Sequence, residues 1–227
     1  MIDTIRKTNL YQSIRKKYKK LTFTKRNAIL NQQMNALSVS LSQKHLDGCR
    51  VFPNRNLMVA SFPKAAVIAE IGVAAGDFSA VILSMASPRR FYLIDAWLMA
   101  SSTDYGESGY AKVESRFKDE INNEVIIIKK GFSHEKLTEF EDDYFGWVYI
   151  DAAHDYLSVK KDLEIAFLKV KKGGIIAGHD YLRWGSRGIR FGVLEAVNSF
   201  CVEKEISFTG ISLDCDDNWS FALNVFK

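Results

Sequence analysis

Apolar residues are spaced differently in the two parts of this 227-residue chain. Through residues 3–46 they recur at intervals of three and four, as at Met34, Leu37 and Leu41. No glycine precedes Gly48. Such intervals place side chains on one face of an α-helix. The pattern therefore predicts one or two N-terminal helices that cover a main domain.

From residue 65 onwards, short apolar runs alternate with amphipathic segments. The runs predict strands at Ala65–Ile71, Phe91–Ile94, Val125–Ile128, Trp147–Ile150, Gly174–Ala177, Ile206–Ile211 and Trp219–Val225. Helices are predicted between the first six, at Asp77–Met85, Tyr110–Ile121, His134–Phe140, Tyr156–Val170 and Ile189–Cys201. This alternation indicates βαβ units. We therefore expect an α/β fold with a doubly wound, mostly parallel sheet of seven strands, whose last two strands form an antiparallel edge hairpin.

Composition and charge change along the chain. Residues 48–64 are rich in Gly, Pro and Asn, which predicts a connecting loop between a helical extension, residues 1–47, and the sheet domain, residues 65–227. The first 30 residues carry nine Lys and Arg against one acid, a charge of +8, so the rest of the chain carries −4. The basic run Arg15–Lys20 either binds an anionic partner or is a solvated helix face. Because the body is acidic, nucleic-acid binding by the whole protein is disfavoured.

Membrane and disulfide-rich classes of protein are also disfavoured. No window approaches the roughly 18 apolar residues that a membrane span needs, and the first residues lack the apolar stretch of a secretory signal. Three cysteines without a CxxC spacing do not indicate a disulfide framework or a zinc site. We expect a cytoplasmic protein without a membrane partner, and homo-oligomerisation is left open.

The first strand of the sheet domain ends at Glu70 and Ile71 and runs into a turn of small residues that opens a helix. Small residues let a ligand approach the backbone, and the N–H groups of a helix N-terminus attract negative groups. The dinucleotide pattern GxGxxG fails, because Ala74 and Asp77 stand at its second and third glycines. A nicotinamide cofactor is therefore disfavoured, and a tight turn without a ligand is the alternative to a cofactor cradle.

The residues after the second strand suggest a nucleoside site. Asp95 lies nineteen residues after Gly76, at the end of the second strand, where a carboxylate can bind ribose hydroxyls. Trp97 either lies against an adenine or packs in the core. The long polar loop Ala100–Ser108 is typical of a lid.

Strands four and five end in carboxylate and imidazole groups. Asp151 and His154 follow the fourth strand, and His179 and Asp180 follow the fifth. Neighbouring parallel strands bring such residues to one edge of the sheet. The set can hold a divalent cation, and His154 can take a proton from a substrate hydroxyl. The structural alternative is that Asp155 caps the next helix and His154 only packs the turn.

The pattern E-x-G-x-x-x-G, formed by Glu70, Gly72 and Gly76, resembles motif I of the class I S-adenosylmethionine-dependent methyltransferases. Tyr149–Tyr181, with D-x-x-H, K-x-G-G and H-D patterns, and Gly192–Phe200 resemble methyltransferase family 24. The resemblance covers residues 65–225 and implies a Rossmann-like fold with S-adenosylmethionine as cofactor. It implies cofactor contacts from Glu70, Gly72, Val73, Gly76, Asp77, Asp95, Trp97, Ser133 and Asp151. Of these, Ser133 can touch the adenine, cap the following helix, or do both.

Related sugar and phenol O-methyltransferases bind Mg²⁺ through an acid after strand four and two residues after strand five. The resemblance therefore implies Asp151, His179 and Asp180 as metal ligands and His154 as the base. His179 stands where those relatives have an acid. Because Mg²⁺ prefers oxygen ligands and imidazole suits transition metals, another divalent cation is an alternative, and the two aspartates are the safer ligands.

These features together predict methylation of a hydroxyl on a small molecule, such as a sugar or a natural-product intermediate. Loops are expected to shape the acceptor pocket through Tyr105, Tyr110, Trp184 and Arg187. The alternative is a non-catalytic module that retains the cofactor fold and docks a partner through its basic N-terminal helix.

Overall fold

The computed structural model describes residues 24–185, 188–215 and 218–227. Two features singled out above, the basic run Arg15–Lys20 and Arg187, lie outside these residues. Helix α1 spans residues 24–37 and a 3₁₀ turn follows at Gln43–His45. The N-terminal helix is thus confirmed within the described residues, but it ends before residue 38. No helix of the described chain is long and apolar enough to cross a membrane.

The main domain is built around one sheet of eight strands. The strands are β1 Arg50–Phe52, β2 Val67–Ile71, β3 Arg90–Asp95, β4 Ile126–Lys130, β5 Phe145–Ile150, β6 Val170–Gly178, β7 Phe208–Ser212 and β8 Ser220–Asn224. Their order is β1-β7-β8-β6-β5-β2-β3-β4. Only β8 runs antiparallel to its neighbours, β6 and β7. The mostly parallel α/β fold with an antiparallel pair towards one edge is confirmed.

Helices cover both faces of this sheet. They are α2 Arg55–Ala60, α3 Asp77–Ala86, α4 Glu107–Arg116, α5 Lys118–Asn122, α6 Ser133–Lys136, α7 Tyr156–Lys169 and α8 Val193–Lys204. The single helix predicted at Tyr110–Ile121 is two helices, α4 and α5. They meet at Phe117, which has a non-helical ψ of 27° and is 3% exposed. Burial of this ring against the domain turns the chain at that point.

One of the eight strands, β1, was not predicted from the sequence. Strand β1 pairs in parallel with β7 and forms the edge of the sheet, outside the β7–β8 hairpin. Three residues are too few to show a strand period, so the segment reads as a loop. Helix α2 follows at once, because the side chain of Asn54 accepts a hydrogen bond from the amide of Leu57 and caps the helix. The Gly- and Pro-containing segment therefore contributes a strand and a helix.

The sheet separates two apolar layers. Helices α7 and α8 pack on one face, and α2, α3 and α4 pack on the other. Side chains alternate along β2, so that Ala69 and Ile71 enter the first layer and Ile68 enters the second. Glu70 shares the face of Ile68 and therefore points beneath helix α3. This alternation sets the surroundings of the motif I acid.

Candidate active site

The order of strands places a crevice between the carboxyl ends of β2 and β5. From β2 the chain continues outwards to β3 and β4, whereas β5 lies on the opposite side of β2. In doubly wound sheets, ligands bind where the strand order reverses in this way. The amide of Asp151 donates to the carbonyl of Ile71 at 2.7 Å, and the amide of Gly72 donates to that of Ile94 at 2.9 Å. These bonds hold the three strand ends side by side.

The turn after β2 contains three residues in the left-handed region. Gly72, Ala74 and Gly76 have φ of 88°, 51° and 78°. A Cβ atom on Gly72 would lie 2.0 Å from the carbonyl oxygen of Asp151, and one on Gly76 would lie 2.8 Å from the Phe117 ring. Glycine is therefore required at both positions by contacts within the protein. These contacts make the turn close enough to the sheet to form a cradle.

Asp95 organises this turn. One carboxylate oxygen accepts the amides of Val73 at 2.8 Å and Ala74 at 3.0 Å, and the other accepts the amide of Trp97 at 2.8 Å. An ionised carboxylate has about four acceptor positions, so one is left for a ligand hydroxyl. Trp97 is 2% exposed, and its indole N–H donates to the carbonyl of Ala74 at 2.8 Å. Trp97 therefore packs in the core, and its contact with an adenine stays a prediction.

Glu70 lies beneath the turn rather than in the crevice. It is 1% exposed and accepts a hydrogen bond from the hydroxyl of Ser79. Burial is the main reason that its pKa rises to about 8, with the Asp151 and Asp95 carboxylates adding to the effect and Ser79 and Arg55 opposing it. Glu70 is therefore mostly uncharged at pH 7. Its direct partner is helix α3, so it supports the cradle from below.

Three other predicted cofactor residues have protein partners in this structure. Asp77 forms an ion pair with Arg116 at 2.6 Å, with 80% of the Asp77 side chain exposed. The hydroxyl of Ser133 donates to Asp162 at 2.7 Å and makes no helix cap, because the cap position is Phe132. Val73 is buried and presents its amide to Asp95. Their contacts with a cofactor stay predictions.

The chemical groups after β5 and β6 converge as expected. One ligand atom from each of Asp151, His154 and Asp180 lies within 4.8 Å of the other two. His154 Nε2 is 2.5 Å from Asp180 Oδ2, and the Asn218 side chain donates through Nδ2 to Asp180 Oδ1 at 2.5 Å. Because Nε2 faces a carboxylate, it carries the proton in the neutral ring and Nδ1 is the acceptor. The imidazole is 41% exposed and thus open to a ligand.

Charges in this cluster shift each pKa in a definite direction. Burial disfavours the charged form of His154, but the hydrogen bond and charge of Asp180 outweigh it and raise the pKa of His154. Burial alone would raise the pKa of Asp180, yet His154 and His179 outweigh burial and lower it. Burial raises the pKa of Asp151, and the Asp180 charge adds to this, although His179 and Arg55 oppose it. The cluster therefore favours a charged Asp180 beside a basic imidazole.

His179 is placed differently from the other three groups. It is 7% exposed, its Nδ1 lies 2.9 Å from the Ser220 hydroxyl, and its Nε2 is 4.0 Å from Asp180 Oδ1. Asp180 has a φ of 58°, so the chain has already turned after the strand. Asp155 does cap helix α7, by accepting the backbone amide of Ser158 at 3.0 Å. The capping alternative is therefore correct for Asp155, but His154 is paired with Asp180 as well.

Sequence reasoning missed Arg55. Its Nη1 lies 3.7 Å from Asp151 Oδ2, and its guanidinium stacks at 4.1 Å over the Phe78 ring at the start of α3. This brings a cation, 22% exposed, to the strand ends that hold the cradle. The only signal was Asn54 before a short apolar run, which is a weak helix cap pattern in a segment interpreted as a loop.

The predicted acceptor residues are packed and exposed to different extents. Tyr110 packs edge-on against Trp97 with ring centroids 5.1 Å apart, whereas Tyr105 and Trp184 are 59% and 45% exposed. The loop that contains Tyr105 is ordered by a bond from the amide of Ser108 to the carbonyl of Ser101 at 2.9 Å. A cavity of about 460 Å³ lined by Arg89 lies at the amino ends of the strands, on the other side of the sheet from the carboxyl ends that hold these groups.

Comparisons with known proteins agree with this geometry. Residues 69–181 match a family model described as a methyltransferase domain, that of methyltransferase family 24. An O-methyltransferase from Bacillus cereus in complex with S-adenosylhomocysteine is similar in structure, with a TM-score of 0.55, 20% identity, and 90% of this chain and 88% of that chain covered. No curated protein matches the sequence.

Two nucleic-acid enzymes share the fold. An rRNA methylase from Streptococcus thermophilus has a TM-score of 0.54 at 10% identity, covering 76% of this chain and 95% of that one. A tRNA methyltransferase from B. subtilis has a TM-score of 0.55 at 9% identity, covering 78% and 67%. At such identities these structures establish only the fold. The family match and the strand order together show that the chain belongs to the class I S-adenosylmethionine-dependent methyltransferases of the family 24 type.

Proposed function

We propose that the enzyme methylates a hydroxyl oxygen of a small molecule, with His154 as general base. The observation that carries this proposal is the 2.5 Å pair between His154 and Asp180 beside Asp151, at the carboxyl edge of the sheet. The imidazole is half-exposed and basic, whereas the partner carboxylate is buried. An alcohol is a poor nucleophile while protonated, so a base that can reach its proton is a specific requirement of O-methylation.

The residues present fit S-adenosylmethionine. Asp95 keeps acceptor capacity for ribose hydroxyls at the end of β3. Asp151 and Arg55 place one carboxylate and one cation at the end of β5 and the start of α2. This pair suits the ammonium and carboxylate of the methionine end. Glu70, being uncharged, adds no repulsion to that carboxylate.

The chain's own residues would manage the proton. The bound cofactor supplies an electrophilic methyl group on a sulfonium. His154 Nδ1 accepts the hydroxyl proton, while Nε2 keeps its own proton and its hydrogen bond to Asp180. Asp180 remains ionised, because its pKa is lowered, and stabilises the imidazolium that forms. The half-buried setting strengthens this charge pair relative to water.

A divalent cation is a second part of the proposal. Asp151 and Asp180 supply oxygen ligands, and His154 or His179 could add a nitrogen. His154 cannot bind a cation through Nε2 and keep its bond to Asp180 at the same time. A metal held by Asp151 and Asp180 would therefore act as a Lewis acid on the acceptor oxygen and leave His154 as the base.

His154→Gln tests the proposal against a panel of hydroxylated metabolites. We expect a loss of at least 100-fold in turnover, because general-base catalysis typically contributes that much. His134→Gln is the matched control, since His134 lies in α6, outside the His154 cluster, and stacks on Phe132. Repeating the assay after EDTA, with Mg²⁺ or Mn²⁺ restored, tests the cation. Turnover that survives in His154→Gln would contradict the role of His154 as general base.

An RNA acceptor is the second candidate. It is favoured by the two structural neighbours named as rRNA and tRNA methylases and by the +8 charge of the first 30 residues. The O-methyltransferase neighbour has the higher identity and covers more of this chain, which supports the small-molecule acceptor. Transfer of labelled methyl to total RNA, but to no metabolite of the panel, would replace our first proposal.

A further inference from the structure

The segment after β6 folds back on itself beside the proposed base. We name the described residues 183–185 and 188–191 the β6 hairpin; its Trp184 and Arg190 form an antiparallel bridge, and the amide of Phe191 donates to the carbonyl of Arg183 at 3.0 Å. At its end the Phe191 ring stacks on the His154 imidazole, with centroids 4.5 Å apart and planes 14° apart. The position of the hairpin therefore determines what packs on one face of the imidazole.

A buried ion pair joins this hairpin to helix α8. Arg190 Nη2 donates to Glu195 Oε1 at 2.6 Å and Nη1 donates to Oε2 at 3.2 Å, with both side chains fully buried. Nη1 also donates to the carbonyls of Arg183, at 3.1 Å, and Phe191. One guanidinium thus binds both strands of the hairpin and the helix that follows. Fork geometry of this kind fixes orientation, which lysine does not reproduce.

Helix α1 and Ser38, which directly follows it, complete the surroundings of the pair. The carbonyl oxygen of the Asn31 side chain accepts Arg190 Nε–H at 3.2 Å, and the Ser38 hydroxyl donates to Glu195 at 3.3 Å. Asn27 donates to the carbonyl of Gly188, in the hairpin itself, at 2.7 Å. The N-terminal extension therefore reaches the hairpin directly. Breaking a buried pair of this kind leaves an uncompensated charge and is destabilising, so we expect the hairpin to shift when the pair is lost.

We propose that Arg190 is a positioning residue for His154. Together with Glu195 and α1, Arg190 fixes the β6 hairpin. The Phe191 ring then holds the imidazole in the orientation in which Nε2 donates a hydrogen bond to Asp180. The amide of Gly192, which donates to the His154 carbonyl at 2.8 Å, ties the backbone on the same side. The inference rests on the proposed role of His154 in turnover, but the packing that it describes can be measured without an acceptor.

NMR of the histidine rings provides that measurement. The chain has four histidines, and the Phe191 ring current should move the His154 ring protons upfield. His154→Gln identifies the signal by its loss. In Arg190→Lys we expect the signal to move towards the other three. Arg183→Lys is the matched control, because Arg183 approaches the same Glu195 at 3.5 Å but is half-exposed, and its variant should leave the signal in place.

Turnover gives a second readout. Arg190→Lys should lower kcat at least tenfold and leave KM for S-adenosylmethionine within about twofold, because a displaced base affects the chemical step and not cofactor binding. Phe191→Leu should reproduce this loss, and Phe191→Tyr, which keeps a flat ring, should restore most of it.

Two outcomes separate this inference from the proposed function. If Arg190→Lys does not fold, Asn31→Ala replaces it, since Asn31 is only half-buried, and should shift the His154 signal in the same direction. An unmoved signal in either folded variant overturns the positioning role. Full turnover in His154→Gln would instead contradict the role of His154 as general base. The NMR signal of the His154 ring would still decide whether Arg190 orders the hairpin.

Discussion

Asp162 shows how burial decides the behaviour of a single carboxyl group. It is 2% exposed in α7 and accepts the hydroxyl of Ser133. Burial raises its pKa from 3.8 to about 6, although the Ser133 hydrogen bond opposes the shift. The folded state therefore binds more protons than the unfolded state between these values. The contribution of Asp162 to stability therefore falls as pH rises from about 4 to 6, by up to about 3 kcal/mol.

Asp162→Asn should remove this loss, because the amide oxygen keeps the bond from Ser133 and has no charge to bury. Urea unfolding at several pH values measures it, and the variant's stability should change less than the wild type's across the window. Asp142→Asn is the control: Lys169 lowers the pKa of Asp142, so its contribution has the opposite sign. A wild-type slope that persists in Asp162→Asn would contradict the assignment.

At the scale of elements, the contact between the ends of β2 and β5 depends on one missing side chain. Gly72 and Gly173 both have positive φ, 88° and 76°, so alanine is strained at each. A Cβ on Gly72 would lie 2.0 Å from the Asp151 carbonyl, whereas none of the described atoms lies within 4 Å of one on Gly173. The two sites therefore separate backbone strain from a clash.

Gly173→Ala should cost about 1–2 kcal/mol of unfolding free energy, the value of left-handed strain alone. Gly72→Ala should cost at least about 2 kcal/mol more, because β2 and β5 must move apart, and it should also weaken S-adenosylhomocysteine binding. Urea unfolding and calorimetry measure the two effects. Equal costs at the two glycines would show that the strand ends can separate freely.

For the whole molecule, the linkage of folding to cofactor binding distinguishes the cofactor classes. S-Adenosylhomocysteine at about 100 times its Kd should raise the free energy of unfolding by about 2.7 kcal/mol. NAD⁺ should have no effect, because Ala74 and Asp77 replace the glycines of a pyrophosphate cradle. Asp95→Asn should abolish the gain, and Asp119→Asn on the exposed surface of α5 should retain it. Stabilisation by NAD⁺ alone would argue for another cofactor.

Local sequence pattern is enough to predict most of the order of elements in the main domain and the strand ends at which the candidate site lies. Apolar runs such as Trp147–Ile150 have the length and composition of buried strands, and the residue after each run necessarily lies at a strand end. Asp95, Asp151, His154 and Asp180 were therefore found from local pattern alone. The convergence of the last three follows from β5 and β6 being parallel neighbours.

The partner of each side chain, in contrast, follows from the folded arrangement of the elements. The burial of Glu70 and Trp97, the turn of His179 towards Ser220, and the approach of Arg55 to Asp151 all depend on residues distant in sequence. Strand β1 exists because β7 offers it an edge, not because three residues prefer to be extended. Local spacing fixes periodicity and chain direction, whereas burial and pairing depend on the other elements that surround a residue once the chain has folded.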